Sequence, residues 1–195
     1  MVIECKKCNA TYEIELLETK ANCSYTCMFC QTKFFESEKI FQPVKITNFP
    51  PKGIAVPGMV RTAIGSYMDS FKNNLDSYQL FLAPYDEPTQ DWTELHLRCE
   101  KQDDDFEKTG NIVLMAIFNH PENRILIPNI LVSGIFRHKG IGKKLISLIL
   151  NTCVLVGYRL FLVQVVESFY ERLIKRGATG IDFETVEITK DTNLT

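Results

Sequence analysis

The sequence predicts a mixed α/β domain preceded by a small cysteine-rich unit that draws its order from a metal. Three observations carry this expectation. Five of the seven cysteines stand in the first thirty residues, at positions 5, 8, 23, 27 and 30. A strand, a glycine turn, a helix and a second strand follow one another from Ile130 to Val166. The chain of 195 residues, 45% hydrophobic and 24% charged, has the length and composition of a globular protein with one core of moderate size. Lys and Arg number 22 against 24 Asp and Glu, a net of −2, so no global charge attracts nucleic acid or an anionic membrane. No run of about 18 uncharged apolar residues is present, and the start MVIECKKCNA lacks the apolar stretch of a secretory signal. The expected compartment is the cytoplasm, with no membrane partner.

The first element is set by two Cys-x-x-Cys pairs, Cys5-Lys-Lys-Cys8 and Cys27-Met-Phe-Cys30, separated by eighteen residues. Each pair closes a tight turn that aims two sulfurs at one point, and four thiolates suit a tetrahedral zinc ion. The intervening ATYEIEL alternates with period two and reads as a strand that brings the pairs together. A segment of about 35 residues buries too little apolar surface to order itself, so metal binding would supply the missing folding free energy. Unrelated thiols or disulfides are the alternative, and a reducing compartment counts against it. Cys23 falls outside the paired geometry and is expected to be a small buried side chain rather than a ligand.

With Tyr12 after the first pair and Phe34 after the second, Val2 to Phe35 resembles a zinc ribbon of the small prokaryotic type. The resemblance implies a ribbon over residues 1–40. Some ribbons bind nucleic acid and others only brace or recruit. Between Met1 and Lys39 five lysines face six glutamates, a net of −1, which offers no phosphate-binding surface. A structural or protein-contacting role is therefore expected, and nucleic acid is not.

Prolines 43, 50, 51 and 57 interrupt Phe41 to Gly58, so residues 41–57 read as a linker with at most one short strand. From Val60 to Leu82 apolar residues recur at steps of three and four, which predicts an amphipathic helix, split near Asn73-Asn74 if it is split at all. Trp92 to Lys101, Ile112 to Phe118 and Arg124 to Val132 read as strands. The acidic stretch from Pro84 to Lys108 reads as a solvated loop, with attraction of a cationic substrate as the functional alternative. His120 is expected in an exposed turn, and His96 as a strand histidine with a satisfied ring.

The second site is carried by Arg137-His138-Lys139-Gly140-Ile141-Gly142, between an apolar strand and a helix with Leu145, Leu148, Ile149 and Val156 on its buried stripe. Gly157 ends that helix, and Leu160 to Val166 reads as a buried parallel strand. Two glycines at a helix start let the backbone approach a ligand while its unpaired N–H groups point outward, which suits a phosphate or diphosphate. Arg137, Lys139, Lys143 and Lys144 add positive charge. A P-loop is excluded by the glycine spacing, and a dinucleotide fingerprint by Leu145 where its third glycine would stand.

The turn Arg137-x-x-Gly140-x-Gly142, in this order of strand, helix and strand, resembles the Arg/Gln-x-x-Gly-x-Gly/Ala turn of the GNAT family of acyl-CoA-dependent N-acyltransferases. The resemblance is good from about Asn111 to Ile188, includes the aromatic helix start Phe169-Tyr170, and implies a GNAT fold, a mixed sheet flanked by helices, over residues 58–195. It further implies that Leu131 and Val132 pair with the pantetheine arm through their backbones, and that Arg137, His138, Lys139, Gly140, Ile141, Gly142 and Lys143 hold the diphosphate of acetyl-CoA. The family's frequent asparagine is absent from VVES, Gly134 replaces a proline, and the Tyr-to-Gly-Phe ending is lengthened, Tyr170 to Gly177, with Ala178 for phenylalanine.

Making an amide from a thioester requires a neutral amine and a proton for the departing thiolate. Tyr170 is the candidate donor: Ser168-Phe-Tyr-Glu171 matches a capping box and places Tyr170 in the first turn of a helix. A packed tyrosine is the alternative. The strand before the turn has no carboxylate, so the base stays unassigned, with Glu94, Glu167 and solvent as options. The resemblance thus implies an enzyme that transfers acetyl from acetyl-CoA to a primary amine, and the ribbon offers a means to recruit a protein that carries it. A non-catalytic acyl-CoA-responsive adaptor, binding a protein or nucleic acid through the ribbon, is the other class.

Overall fold

The computed structural model describes residues 2–30, 32–48, 52–70, 78–83, 91–101, 111–130 and 140–194. The chain divides into two compact units, Met1–Thr62 and Ala63–Thr195. Among the described residues it is a mixed α/β protein with three helices. None of those helices is long and apolar enough to cross a membrane.

In the first unit β1 (Val2–Glu4), β2 (Thr11–Thr26) and β3 (Lys33–Asn48) form an antiparallel sheet in the order β1-β2-β3. Tyr12 is held from both sides, opposite Ile3 on β1 and Ile46 on β3. Residues 41–48, expected as linker, are the second half of β3 instead. The prolines misled because β3 is an edge strand and Pro43 lies where the register slips between Glu13 and Ile14, a place where a missing N–H costs no ladder bond. Helix α1 (Lys52–Asp69) then begins before Pro57 and carries it in its second turn.

α1 stops at Asp69, where the Ser70 N–H and hydroxyl both donate to the Tyr67 carbonyl, at 3.1 and 2.6 Å. The expected helix through Leu82 is thus shorter, and its last residues form β4 (Tyr78–Leu82). Short apolar runs fit both periods, and pairing with the next strand decides this one.

The second unit is built on a seven-stranded sheet in the order β4-β5-β6-β7-β8-β10-β9. Its further strands are β5 (Trp92–Lys101), β6 (Asn111–Asn119), β7 (Arg124–Ile130), β8 (Arg159–Leu162), β9 (Thr179–Gly180) and β10 (Val186–Ile188). Every neighbouring pair is antiparallel except β7 and β8, which are parallel and joined through α2 (Ile141–Val156). Leu95, Leu97 and Cys99 alternate into the core from β5, whereas β8 buries Leu160, Phe161 and Leu162 in succession. α2 buries Leu145 and Ile149 as expected, with Ile141, Ile146, Leu150 and Cys153 beside them, whereas Leu148 and Val156 of the expected stripe are only half-buried. Gly157, with φ +73°, ends it.

Two local expectations change. α3 (Glu167–Lys175) has Val166 as its N-cap, with no side-chain cap bond, so Ser168 lies inside the first turn and the capping box is not formed. His120 is 7% exposed rather than solvated. Its ring bonds the Thr93 hydroxyl at 3.0 Å and the Tyr158 hydroxyl at 2.9 Å, tying together β5, the β6–β7 turn and the approach to β8. The polar turn motif dominated the sequence pattern, but only Pro121 and Glu122 of it face solvent.

Candidate metal centre and candidate cleft

In the first unit the two Cys-x-x-Cys turns are built alike. The Cys5 N–H donates to the Ala10 carbonyl and the Cys27 N–H to the Thr32 carbonyl, each at 2.9 Å. Both turns thereby fold their sulfurs inward. The Sγ atoms of Cys5, Cys8, Cys27 and Cys30 lie within 4.8 Å of one another, with Cys5 to Cys30 and Cys8 to Cys27 at 3.5 Å. A tetrahedral zinc ion with bonds of about 2.3 Å requires sulfurs about 3.8 Å apart, so the donor set fits that ion in chemistry and spacing. None of the four is in a disulfide.

Burial raises the thiols of Cys5 and Cys8 above their ordinary range. Burial opposes ionisation of Cys30 as well, but bonds from the Thr32 hydroxyl and N–H and from the Cys5 and Cys27 thiols outweigh it and bring that thiol down to about 7. Cys30 is also the least buried of the four. Cys23 lies on β2 opposite Ser37, and its side chain, like that of Phe34, is outside the described residues.

Ala10, Tyr12, Phe29 and Ala55 form a small core with the cysteines, with Ile54 and Met59 packed against it. The first turns of α1 therefore belong to the metal-binding unit, which the cysteine spacing alone did not reveal. Gly58 sits against the main chain of Phe29, and the Thr62 hydroxyl reaches the Met28 carbonyl at 3.0 Å. Gly58, one of three glycines in α1, was the available signal.

In the second unit the parallel strands part. Pairing runs from Arg124 opposite Arg159 to Ile127 opposite Leu162, and ends with the Val163 N–H donating to the Ile127 carbonyl at 3.1 Å. β7 continues to Ile130 on the β6 side, where the register slips between Met115 and Ile117, so that Ile127 and Pro128 together oppose Ala116. Pro128 has no N–H to donate, which suits it to this bulge. On the other strand Gln164 takes φ +57°, and the Val165 N–H turns to the Glu184 carbonyl at 3.0 Å. β8 therefore ends at Leu162, short of the expected Val166. Beyond Ile127 the edge of β7 opposite to β6 has no ladder partner on β8 among the described residues.

α2 starts close to that parting in the chain. Gly140 has φ +72° and ψ 3°, a left-handed conformation that disfavours any side chain, although a Cβ there would meet nothing within 4 Å. The requirement at this glycine is backbone shape. The first N–H groups of a helix have no intrahelical acceptor, and among the described residues no side-chain cap serves those at the start of α2. A groove of about 500 Å³ runs along α2 from Gly140, lined by Lys143, Lys144, Ser147 and Asn151 and closed by Lys190, Thr192 and Leu194 of the C-terminal segment. The sequence did not point to Lys190. Leu131, Val132, Arg137, His138 and Lys139 lie outside the described residues.

Tyr170 lies in the first turn of α3, half-buried, its N–H donating to the Val166 carbonyl at 2.9 Å. Its hydroxyl rests on Gly180, where a Cβ would overlap it, beside Ile174. Gly180 is on β9, which β10 separates from β8 in the sheet. Glu94 bonds the ring of His96 at 3.1 Å, and Glu167 is exposed.

No protein-family model and no curated protein matches the chain. Among solved structures it is similar to a nourseothricin acetyltransferase, with 13% identity over 90% of this chain and 95% of that one and a TM-score of 0.28. A likeness of that size carries no argument about fold or activity.

Proposed function

We propose that the protein is an acyl-CoA-dependent N-acetyltransferase of the GNAT type, with a zinc ribbon as its first unit. The reading rests above all on the parting of parallel β7 and β8 beyond a proline bulge, followed in the chain by a helix that opens on a left-handed glycine. The backbone from Pro128 through Val132 would pair with the amides of the pantetheine arm as an added strand. Amides from Arg137 to Lys143 would hold the diphosphate at the helix N-terminus. Lys143, Lys144 and Lys190 bring positive charge to the groove for the remaining phosphate.

The primary amine attacks the thioester carbonyl as the neutral base. A carbon–nitrogen bond forms, the carbon–sulfur bond breaks, the amine loses a proton and the departing thiolate gains one. We assign that donation to Tyr170 by its place in the chain, and the role requires its side chain to rotate off Gly180. Solvent is the acceptor of the amine proton in this scheme. Cys5, Cys8, Cys27 and Cys30 would hold the zinc, which orders the ribbon. The ribbon then serves to position a protein acceptor.

Calorimetry with coenzyme A and acetyl-CoA tests the binding, and transfer of isotopically labelled acetyl to proteins of a cell extract, read by mass spectrometry, tests the activity. No association with either ligand rules out the acyltransferase. The resting place of Tyr170 and the absence of a carboxylate on β7 favour one further reading, an acyl-CoA-responsive adaptor. Binding without any transfer to an amine panel would select it.

A further inference from the structure

One sulfur of the proposed zinc site, that of Cys27, meets a hydroxyl from outside the two turns. Each turn is closed by its own main chain, with the Cys5 N–H on the Ala10 carbonyl, the Asn9 N–H on the Cys5 carbonyl and the Cys27 N–H on the Thr32 carbonyl. These donors all lie within the two turns or next to them. Cys27 receives a donor from elsewhere: the Tyr12 hydroxyl, on β2, is 3.1 Å from its sulfur.

We infer that Tyr12 is a positioning residue for the metal, its phenolic O–H donating to the Cys27 thiolate and thereby fixing the direction and donor strength of that ligand. The inference rests on the zinc reading of the four cysteines. A thiolate has lone pairs and no proton, so once a metal is bound the phenol is the donor in this contact. Four thiolates around a divalent cation leave a net charge of −2 in a pocket where Cys5, Cys8 and Cys27 are fully buried or nearly so. Each hydrogen bond aimed at a sulfur offsets part of that charge.

The geometry of Tyr12 suits it to this task. Its ring is 3% exposed and lies 6.2 Å, centroid to centroid, from the ring of Phe29. Pairing with Ile3 and Ile46 on the two flanking strands leaves the residue little freedom to withdraw. A phenylalanine would fill the same place against Phe29. What tyrosine adds is the oxygen, and that oxygen meets a ligand sulfur. Because Tyr12 follows the first turn and Cys27 opens the second, the bond also ties the two halves of the site together through a side chain.

The test uses the full chain loaded with Co²⁺ as a spectroscopic probe and with Zn²⁺ in competition against a chromophoric chelator. The wild type should show the thiolate-to-cobalt charge-transfer band of a tetrathiolate site. Tyr12→Phe should weaken Zn²⁺ binding by roughly tenfold, within the 10- to 100-fold range typical of outer-shell partners. It should also move the charge-transfer band to lower energy, since a thiolate relieved of its donor gives up its electrons more readily. Phe29→Leu keeps the hydroxyl and loosens the packing, so it should lower the melting temperature and leave the band in place. A Tyr12→Phe protein with wild-type affinity and an unmoved band overturns the inference, as does a Phe29→Leu protein whose band moves equally far. Absence of any thiolate band in the wild type overturns the metal reading itself.

Discussion

Gly58 lies against the main chain of Phe29 so closely that a Cβ on Gly58 would overlap the Phe29 carbonyl. Phe29 is inside the second Cys-x-x-Cys turn, so α1 presses directly on the loop that aims Cys27 and Cys30. Gly58→Ala must move either the helix or that loop, and neither is the free end of a flexible side chain. We expect a loss of at least about 1–3 kcal/mol in the first unit together with faster loss of metal to a chelator. Thermal melts and chelator challenge of the variant check this. Unchanged values in both would show that α1 does not bear on the turn.

Metal binding should release protons and weaken as pH falls. Burial holds Cys5 and Cys8 above the ordinary thiol range, so at neutral pH the metal-free site is protonated there and Zn²⁺ must displace those protons. Apparent affinity therefore rises with pH and drops on acidification. Removing the metal should unfold the first unit first, because its core is small. Zinc titrations at several pH values, with proton release read by a pH indicator, measure the effect. Affinity independent of pH would argue against thiolate ligation.

Arg159 and Glu187 form a two-pronged ion pair between β8 and β10, with N–O distances of 2.7 and 2.6 Å. The bonds from the Arg159 guanidinium hold the Glu187 carboxyl below its ordinary range. A lowered folded-state pKa contributes stability that is fully present above the unfolded value, about 4.3, and is lost as pH falls through the folded value. Glu187→Gln should thus be less stable than wild type at neutral pH, with the gap closing below about pH 4. Denaturant melts across that range test it, and a gap that stays constant with pH would remove the ion pair as its cause.

Tyr170 separates two roles by two substitutions. If it donates a proton, Tyr170→Phe lowers kcat by about 100-fold or more and leaves the Kd for acetyl-CoA alone. If it only packs on Gly180, turnover is kept and stability falls. Gly180→Ala should displace the ring and cost about 1–3 kcal/mol in either case. Steady-state kinetics beside melting curves of both variants decide between them.

Lys190 closes the groove along α2 from outside the glycine turn. Replacing it by Gln should weaken acetyl-CoA binding by about fivefold, near 1 kcal/mol for an exposed cation facing a phosphate, and reduce the salt dependence of binding. Calorimetry at two ionic strengths reads both. An unaffected Kd would place the ligand's phosphates elsewhere.

Regular patterns read well in the sequence. β5 and β6 lie where strands were expected, β7 starts at Arg124 as expected, α2 ends at Gly157, and the four cysteines converge. Proline and polarity misled where the fold supplies context: Pro43 is harmless on an edge strand at a register slip, and Pro57 rides inside α1. His120 stands in a polar turn, yet Thr93 and Tyr158 satisfy both ring nitrogens in the interior. The helix periodicity running past Asp69 belonged to two elements, because five residues cannot distinguish a strand from a helical turn.

By itself the sequence determined the chemistry on offer: a set of four thiols, two glycines opening a helix, and a proline in the strand before it. These follow from local covalent properties, the reactivity of sulfur, the missing Cβ and the missing N–H. Only the tertiary structure decided that α1 braces the metal-binding turns, that Tyr12 reaches Cys27, that β7 and β8 part beyond Ile127, and that the Tyr170 hydroxyl rests on Gly180. Each of those depends on contact between residues distant in the chain, and packing and strand register set such contacts where spacing along the sequence does not.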